Sequence, residues 1–318
     1  MIDPLADPLA LTNTSRDPAP EAAFSPASDA THPHPRDDDV VRSGGSASAP
    51  VRVGRRQLVV LAAQLPDRDR LILETVEMLG LARGDQLRRL FFSELATEAA
   101  RTRVARRSLH RLTNHALLRV LERRIGGERA GSAGHVYALA PAGRRLLAHL
   151  HGQPMPSRRG VHEPGLLFVT HTLAIGDLYV ALVEADRAGK LELLAFEVEP
   201  VRTYTSPIGT TIRLKPDAYV RLATGEFEQL SFCELDLGSE GRGVLERKLQ
   251  AYLSLYRSGR EQAEHGLFPQ VVWIAPDPAR AHFISSLVEA PPADGPRLFA
   301  TTTKGSALSV LAGAGVAP

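Results

Sequence analysis

From Leu58 onward the spacing of apolar and polar positions marks out discrete elements. Pro66-Asp67 open a segment in which Leu71, Ile72, Thr75, Val76 and Leu79 recur at helical intervals, and Gly80 ends it. Asp85 begins a short helix over 86–92, and Thr97 is placed to N-cap a longer one running to about Asn114. Over 117–124 the pattern turns to strand alternation, Gly126, Gly127, Gly131 and Gly134 make a flexible tip, and 135–139 return as a second strand. Pro141 starts a closing helix over 143–150. Beyond a linker rich in Pro, Gly and Arg, the chain reads as a helix over 166–185 and strands over 191–199, 211–222 and 228–236. A helix over 242–256, a strand over 270–275, a helix over 279–289 and a strand over 297–301 follow.

These periods predict an α/β (α+β) chain. Helix, helix, helix, strand, glycine tip, strand, helix is the order of a winged helix-turn-helix. The second half predicts a central mixed sheet flanked by helices. The expected division is 1–57, 58–150, 151–165 as linker, 166–303 and 304–318. The first segment is expected to be disordered and the last flexible, because Pro, Ala, Ser and Gly there bury too little to offset ordering entropy.

Composition narrows the classes. The chain has 318 residues and a net charge of only +2, so any attraction to nucleic acid must be local. The single cysteine, Cys233, excludes an internal disulfide and a Cys-rich zinc site, and is expected to be a buried thiol in a reducing cytosol. No apolar run is seen to approach the roughly 18 residues of a membrane span. The acidic, Pro-broken start is not a signal peptide, and a cytoplasmic location is expected.

The third helix concentrates charge. It carries Arg101, Arg103, Arg106, Arg107 and Arg111 against one acid, Glu98. Arg103, Arg107, His110 and Asn114 fall on one helical stripe with Arg106 beside it, while Val104, Leu109, Leu112 and Ala116 favour the core. Arg123, Arg124 and Arg129 extend the charge to the wing. Long cations pair with phosphates, and Arg and Asn read guanine and adenine edges, so the expected partner is double-stranded DNA. An Arg-rich solvated face is the plainer alternative.

The second half concentrates acid. Glu234 and Asp236 stand two apart on one strand and share a face with Phe232. A hairpin with the preceding strand brings Asp217 toward Glu234, and such oxygen ligands suit Mg²⁺. Lys248 and Tyr252 follow at i, i+4 on the next helix. The alternative is a structural ionic cluster with Arg213, Arg242 or Lys248. His171, on a largely apolar helix face, is expected in the core, and Asp177 is a further candidate acid.

This set resembles the PD-(D/E)xK nuclease superfamily. Pro216-Asp217 matches the PD element, Glu234-Leu235-Asp236 stands where (D/E)xK belongs, and Lys248-x-x-x-Tyr252 resembles the Gln-x-x-x-Tyr element of RecB-like members. The resemblance implies that Asp217, Glu234 and Asp236 hold a divalent metal and that a lysine orients the attacking water. Here the third element ends in Asp236 rather than Lys, leaving that role to Lys248 or Lys215. Over Leu65 to Thr301 the chain is similar to the replication-relaxation family of actinobacterial plasmids and integrative elements. The motifs are Leu117-Leu118-Arg119, Val136-Tyr137-Ala138-Leu139 with Gly143, His171-Thr172-Leu173, Pro216-Asp217, Glu234-Leu235-Asp236-Leu237-Gly238 and Lys248-x-x-x-Tyr252. The resemblance implies a role in replication or relaxation of a mobile element. Metal-dependent nicking by the second half is one expectation, and a non-enzymatic regulator or adaptor with a degenerate nuclease fold is the other. A homodimer or other replication proteins are the expected protein partners.

Overall fold

A computed structural model describes residues 53–121, 134–155, 163–205, 209–288 and 298–313. The first half packs α1 (Arg55–Gln64), α2 (Asp67–Leu79), α3 (Gly84–Phe91) and α4 (Glu98–Asn114), followed later by α5 (Pro141–Leu150). Asp67 and Asp69 sit in the first turn of α2, where they face the positive end of the helix dipole. Gly80 ends the helix at φ 79°, a value that L side chains rarely adopt. Gln86 Oε1 accepts from Arg83 N at 2.8 Å at the start of α3, and Thr97 Oγ1 accepts from Ala100 N at 3.2 Å at the start of α4.

Three short strands, β1 (Ala82–Arg83), β2 (Leu118–Val120) and β3 (Val136–Leu139), form an antiparallel sheet in the order β1-β3-β2. The expected first wing strand is observed for 118–120. Its remainder and the tip, with Arg123, Arg124 and Arg129, lie outside the described residues. Gly143 lies where α5 crosses β2: a Cβ there would stand 2.2 Å from the Leu117 carbonyl oxygen, so only glycine permits the approach.

The second half begins with α6 (Leu166–Arg187), then β4 (Glu192–Val198), β5 (Arg202–Thr205), β6 (Thr211–Leu214), β7 (Ala218–Thr224) and β8 (Phe227–Leu235). Helices α7 (Arg242–Ser258) and α8 (Arg260–His265), strand β9 (Gln270–Ala275), α9 (Pro278–Val288), β10 (Phe299–Thr303) and α10 (Ala307–Leu311) complete it. The central sheet has the order β10-β9-β8-β7-β4, antiparallel from β4 to β8 and parallel from β8 to β10, so the chain is α/β with a mixed sheet.

Strand alternation separates two cores. Val220, Cys233, Leu235, Val272 and Ile274 face α6, whereas Tyr219, Phe232, Val271 and Trp273 face the core of α7 and α9. The α6-side core runs without interruption from Leu58 and Ile72 through Ile175 to Leu311, so both halves share it.

Several expectations change. The strand expected over 211–222 is two strands, broken at Lys215-Pro216-Asp217, because Pro216 lacks the N–H that a ladder needs. The tail beyond Lys304 is not loose at its start: α10 buries Ala307 and Leu311. Order begins before Leu58, since α1 starts at Arg55. Helix α6 is long and apolar enough to cross a membrane, contrary to the expectation that no such run exists, yet Val169, Leu173, Val180 and Leu182 are buried in the cores.

Arg111, expected on the DNA face, turns inward. Its Nε donates to Asp69 Oδ2 at 2.8 Å, and Asp69 is only 1% exposed. Arg111→Ala would leave that carboxylate buried without its donor, a destabilisation of about 1–3 kcal/mol. The urea unfolding midpoint is expected to fall accordingly; an unchanged midpoint would show that this pair does not tie α4 to α2.

Candidate functional site

The arginines of β1, α3 and α4 divide into two sets. Arg83 and Arg89 are paired with Asp177 and Glu184 of α6, and Arg88 with Glu98. Arg101 donates to the Leu95 carbonyl at 2.7 Å and Arg111 to Asp69, so these two leave the expected DNA face. Arg103, Arg106 and Arg107 are exposed and form no ion pair among the described residues. His110 and Asn114 are exposed beside them and hydrogen-bond to each other at 3.2 Å. Ala105, Ser108, Leu109 and Leu112 bury the opposite face. The expected stripe is thus present as five outward side chains, and the core holds it in place.

The acid cluster lies at one end of the central sheet. The β7–β8 ladder pairs Ala218 with Cys233, and Asp217 N donates to the Cys233 carbonyl at 3.1 Å, which sets Asp217 beside Glu234. Asp217 Oδ2 accepts from Leu235 N at 2.7 Å. Its Oδ1 meets His171 Nε2 at 3.0 Å. Glu234 is 2% exposed; its Oε1 accepts from Tyr252 at 2.6 Å and its Oε2 from Lys248 Nζ at 2.9 Å. Lys248 also reaches Glu240 Oε1 at 2.8 Å. One turn of helix places Lys248 and Tyr252 on the same carboxylate.

Burial, then the charge of Asp217, pushes the Glu234 carboxyl up to about 7 against the help of Lys248 and Tyr252. The Asp217 hydrogen bond raises His171 above the ordinary imidazole range despite its partial burial. Burial opposes the charge on Lys248, but Glu234 and Glu240 outweigh it and keep the ammonium. Burial and the Glu234 charge hold Tyr252 as a phenol donor. Burial also raises the Cys233 thiol, which is fully enclosed.

Asp236 does not join this pair. Its Oδ2 accepts from Arg280 Nε at 2.6 Å and its Oδ1 from Gly238 N, so the expected set of Asp217, Glu234 and Asp236 on one ion is not gathered. Among the described residues no group of three His, Cys, Asp or Glu side chains is placed to hold a metal. Each oxygen of Asp217 and Glu234 already has a donor, and the cation on Glu234 is Lys248. The residues do not fit a three-acid Mg²⁺ cage.

Asp177, the other candidate acid, is elsewhere. It binds Arg83 at 2.6 Å, Gln86 at 2.8 Å and Lys304 at 2.7 Å. Burial would raise its carboxyl, but Lys304, Gln86 and Arg83 together pull it below the usual range. Glu240 and Arg280 carry no signal in the sequence, and His171, expected in the core, instead meets Asp217. The i, i+6 step from His171 to Asp177 marks two helix positions facing different partners, but no local signal ties His171 to Asp217.

The fold and these two sites define a mixed α/β protein with an outward basic helix and an internally neutralised acid cluster. The chain belongs to the replication-relaxation family, whose model matches residues 73–271, more than half of the sequence and both sites. No curated protein and no solved structure matches it. Family membership points to a role in replication or relaxation.

The raised groups carry a pH signature. Glu234 takes up its proton more readily in the folded chain, so this stability is present below the ordinary glutamate range and is lost as pH rises toward about 7. His171, also raised, acts with the same sign at higher pH. The urea midpoint of the native chain is expected to fall between about pH 4.5 and about pH 7, and Glu234→Gln is expected to flatten that fall. Equal pH profiles for the two proteins would contradict the assignment.

Proposed function

We propose that this chain binds double-stranded DNA through α4 in the replication or relaxation of a plasmid or other mobile element. The observation that carries the reading is the division of arginines: the inward ones are neutralised by acids or carbonyls, and the outward Arg103, Arg106 and Arg107 are not. Like charges held together on a rigid helix repel one another, and a phosphate lattice relieves that repulsion. Three helices with the β1-β3-β2 sheet support a winged-helix reading, with α4 in the major groove and Asn114 and the arginines at base edges.

In this reading the second half is a non-enzymatic scaffold, because its carboxylates are matched by Lys248, Tyr252, His171 and Arg280. The α6-β4-β7-β8-α7-β9 order and the meeting of Asp217, Glu234 and Lys248 favour a second reading, metal-dependent nicking by a PD-(D/E)xK-like site.

Two measurements test these readings. Changing Arg103, Arg106 and Arg107 to Ala is expected to weaken duplex binding and reduce the slope of log affinity against log salt by about 0.9 per phosphate no longer neutralised. Unchanged affinity and slope would remove α4 from the interface. A supercoiled-plasmid assay with Mg²⁺ or Mn²⁺ is expected to show no metal-dependent nicking. Nicking that disappears in both Asp217→Ala and Glu234→Ala would establish the second reading instead.

A further inference from the structure

Strands β4 and β7 are antiparallel neighbours, yet the chain does not turn directly between them: it leaves as the β5–β6 ribbon. The base of the ribbon is the acid site itself. Glu199 N donates to the Asp217 carbonyl at 2.9 Å, and Glu199 adopts φ 49°, an unusual left-handed conformation for a non-glycine residue that redirects the chain outward.

The ribbon has two unlike faces, as strand alternation requires. Its inner face is anchored. Tyr204 donates to the Ala251 carbonyl of α7 at 2.9 Å, Leu214 is buried, and the Arg202 guanidinium lies 5.3 Å from the Tyr219 ring centre. On the outer face Thr203 pairs with Arg213 and Thr205 with Thr211, and all four are exposed. Among the described residues of β5 and β6 that face carries no carboxylate. Arg260 of α8 donates to the Thr203 carbonyl, which ties the start of α8 to the ribbon, and Arg257, in the last turn of α7 just before it, is exposed. Arg213 and Arg257 form no ion pair among the described residues.

We propose that the outer face of β5–β6 with Arg213, together with the exposed Arg257 at the end of α7, is a second DNA-backbone contact separate from α4, on the ribbon whose base joins Glu199 to Asp217. The inference rests on the DNA-binding reading and adds where the duplex goes beyond α4. Threonine hydroxyls and guanidiniums are phosphate-contacting groups, and a two-stranded ribbon is narrow enough to follow a groove. Arg260 is part of the anchor, whereas Arg213 and Arg257 are exposed and pair with no acid among the described residues.

The test uses the full chain and a fluorescent mixed-sequence duplex at low salt. Arg213→Ala with Arg257→Ala is expected to lower affinity at least about threefold and reduce the salt slope by roughly 0.9 for each phosphate left without its arginine, with an unchanged urea midpoint. Arg221→Ala, on the far part of β7, is expected to change neither. Because the only native cysteine, Cys233, is buried, a photo-cross-linker on the Thr211→Cys variant reports the ribbon alone. It is expected to capture the duplex, and the same probe on Phe227→Cys, at the β7–β8 turn, is not. If the α4 triple variant weakens binding while the ribbon pair leaves affinity and slope as in the native chain, this inference is overturned and the α4 reading stands. If the native chain does not retain the duplex, both are overturned.

Discussion

The half-buried carboxylate of Asp177 sets a constraint on the whole molecule. A carboxylate taken from water needs donors, and this one draws them from β1, α3 and the start of the last turn: Arg83, Gln86 and Lys304. Gln86 Nε2 also donates to the Leu173 carbonyl of the same helix. Further along α6, Glu184 holds Arg89, and Arg187 donates to the Leu90 carbonyl at the end of α3. The close approach needs Gly176, where a Cβ would come within 3.0 Å of the Gln86 amide. Helix α6 thus serves both halves, with apolar contacts on each side and a line of polar attachments to α3.

That attachment explains why the basic helix is legible as a surface. Each arginine facing α6 or α2 is consumed by a partner, so the charge left over is confined to the outward side of α4. The same balance operates in the second half. There the acids at the end of β8 and just after it are matched one by one, Glu234 by Lys248 and Tyr252 and Asp236 by Arg280. A buried carboxylate pair without such partners would carry a large desolvation cost. Every carboxylate oxygen of Asp217, Glu234 and Asp236 thus meets a donor, and the three acids sit in a connected polar network.

Periodicity makes α2 and α4 readable, because their buried positions follow the helical period and their ends carry Gly80 or Thr97, whereas β8 and β9 read as short apolar runs buried on both faces. The approach of Asp217 to Glu234 was also readable, since a hairpin register and strand alternation suffice. What escaped depends on partners distant in sequence. His171 looks like a core residue until Asp217, 46 positions on, supplies its hydrogen bond. Arg111 shares the composition of its outward neighbours and differs only in meeting Asp69, 42 positions earlier. Asp236 was assigned to the metal set because alternation gives a face but not the Arg280 that occupies it. Helix α10 escapes because it spans only 5 residues inside a Gly/Ala-rich stretch, and its order comes from burying Ala307 and Leu311.

In the proposed function, outward charge on α4, held in place by the core, meets duplex DNA. Hydrogen exchange of the full chain with and without a short duplex measures this directly, peptide by peptide. The account predicts slowed exchange in peptides covering 98–114 when DNA is bound. Bound DNA that leaves those peptides exchanging at their free rates would contradict it.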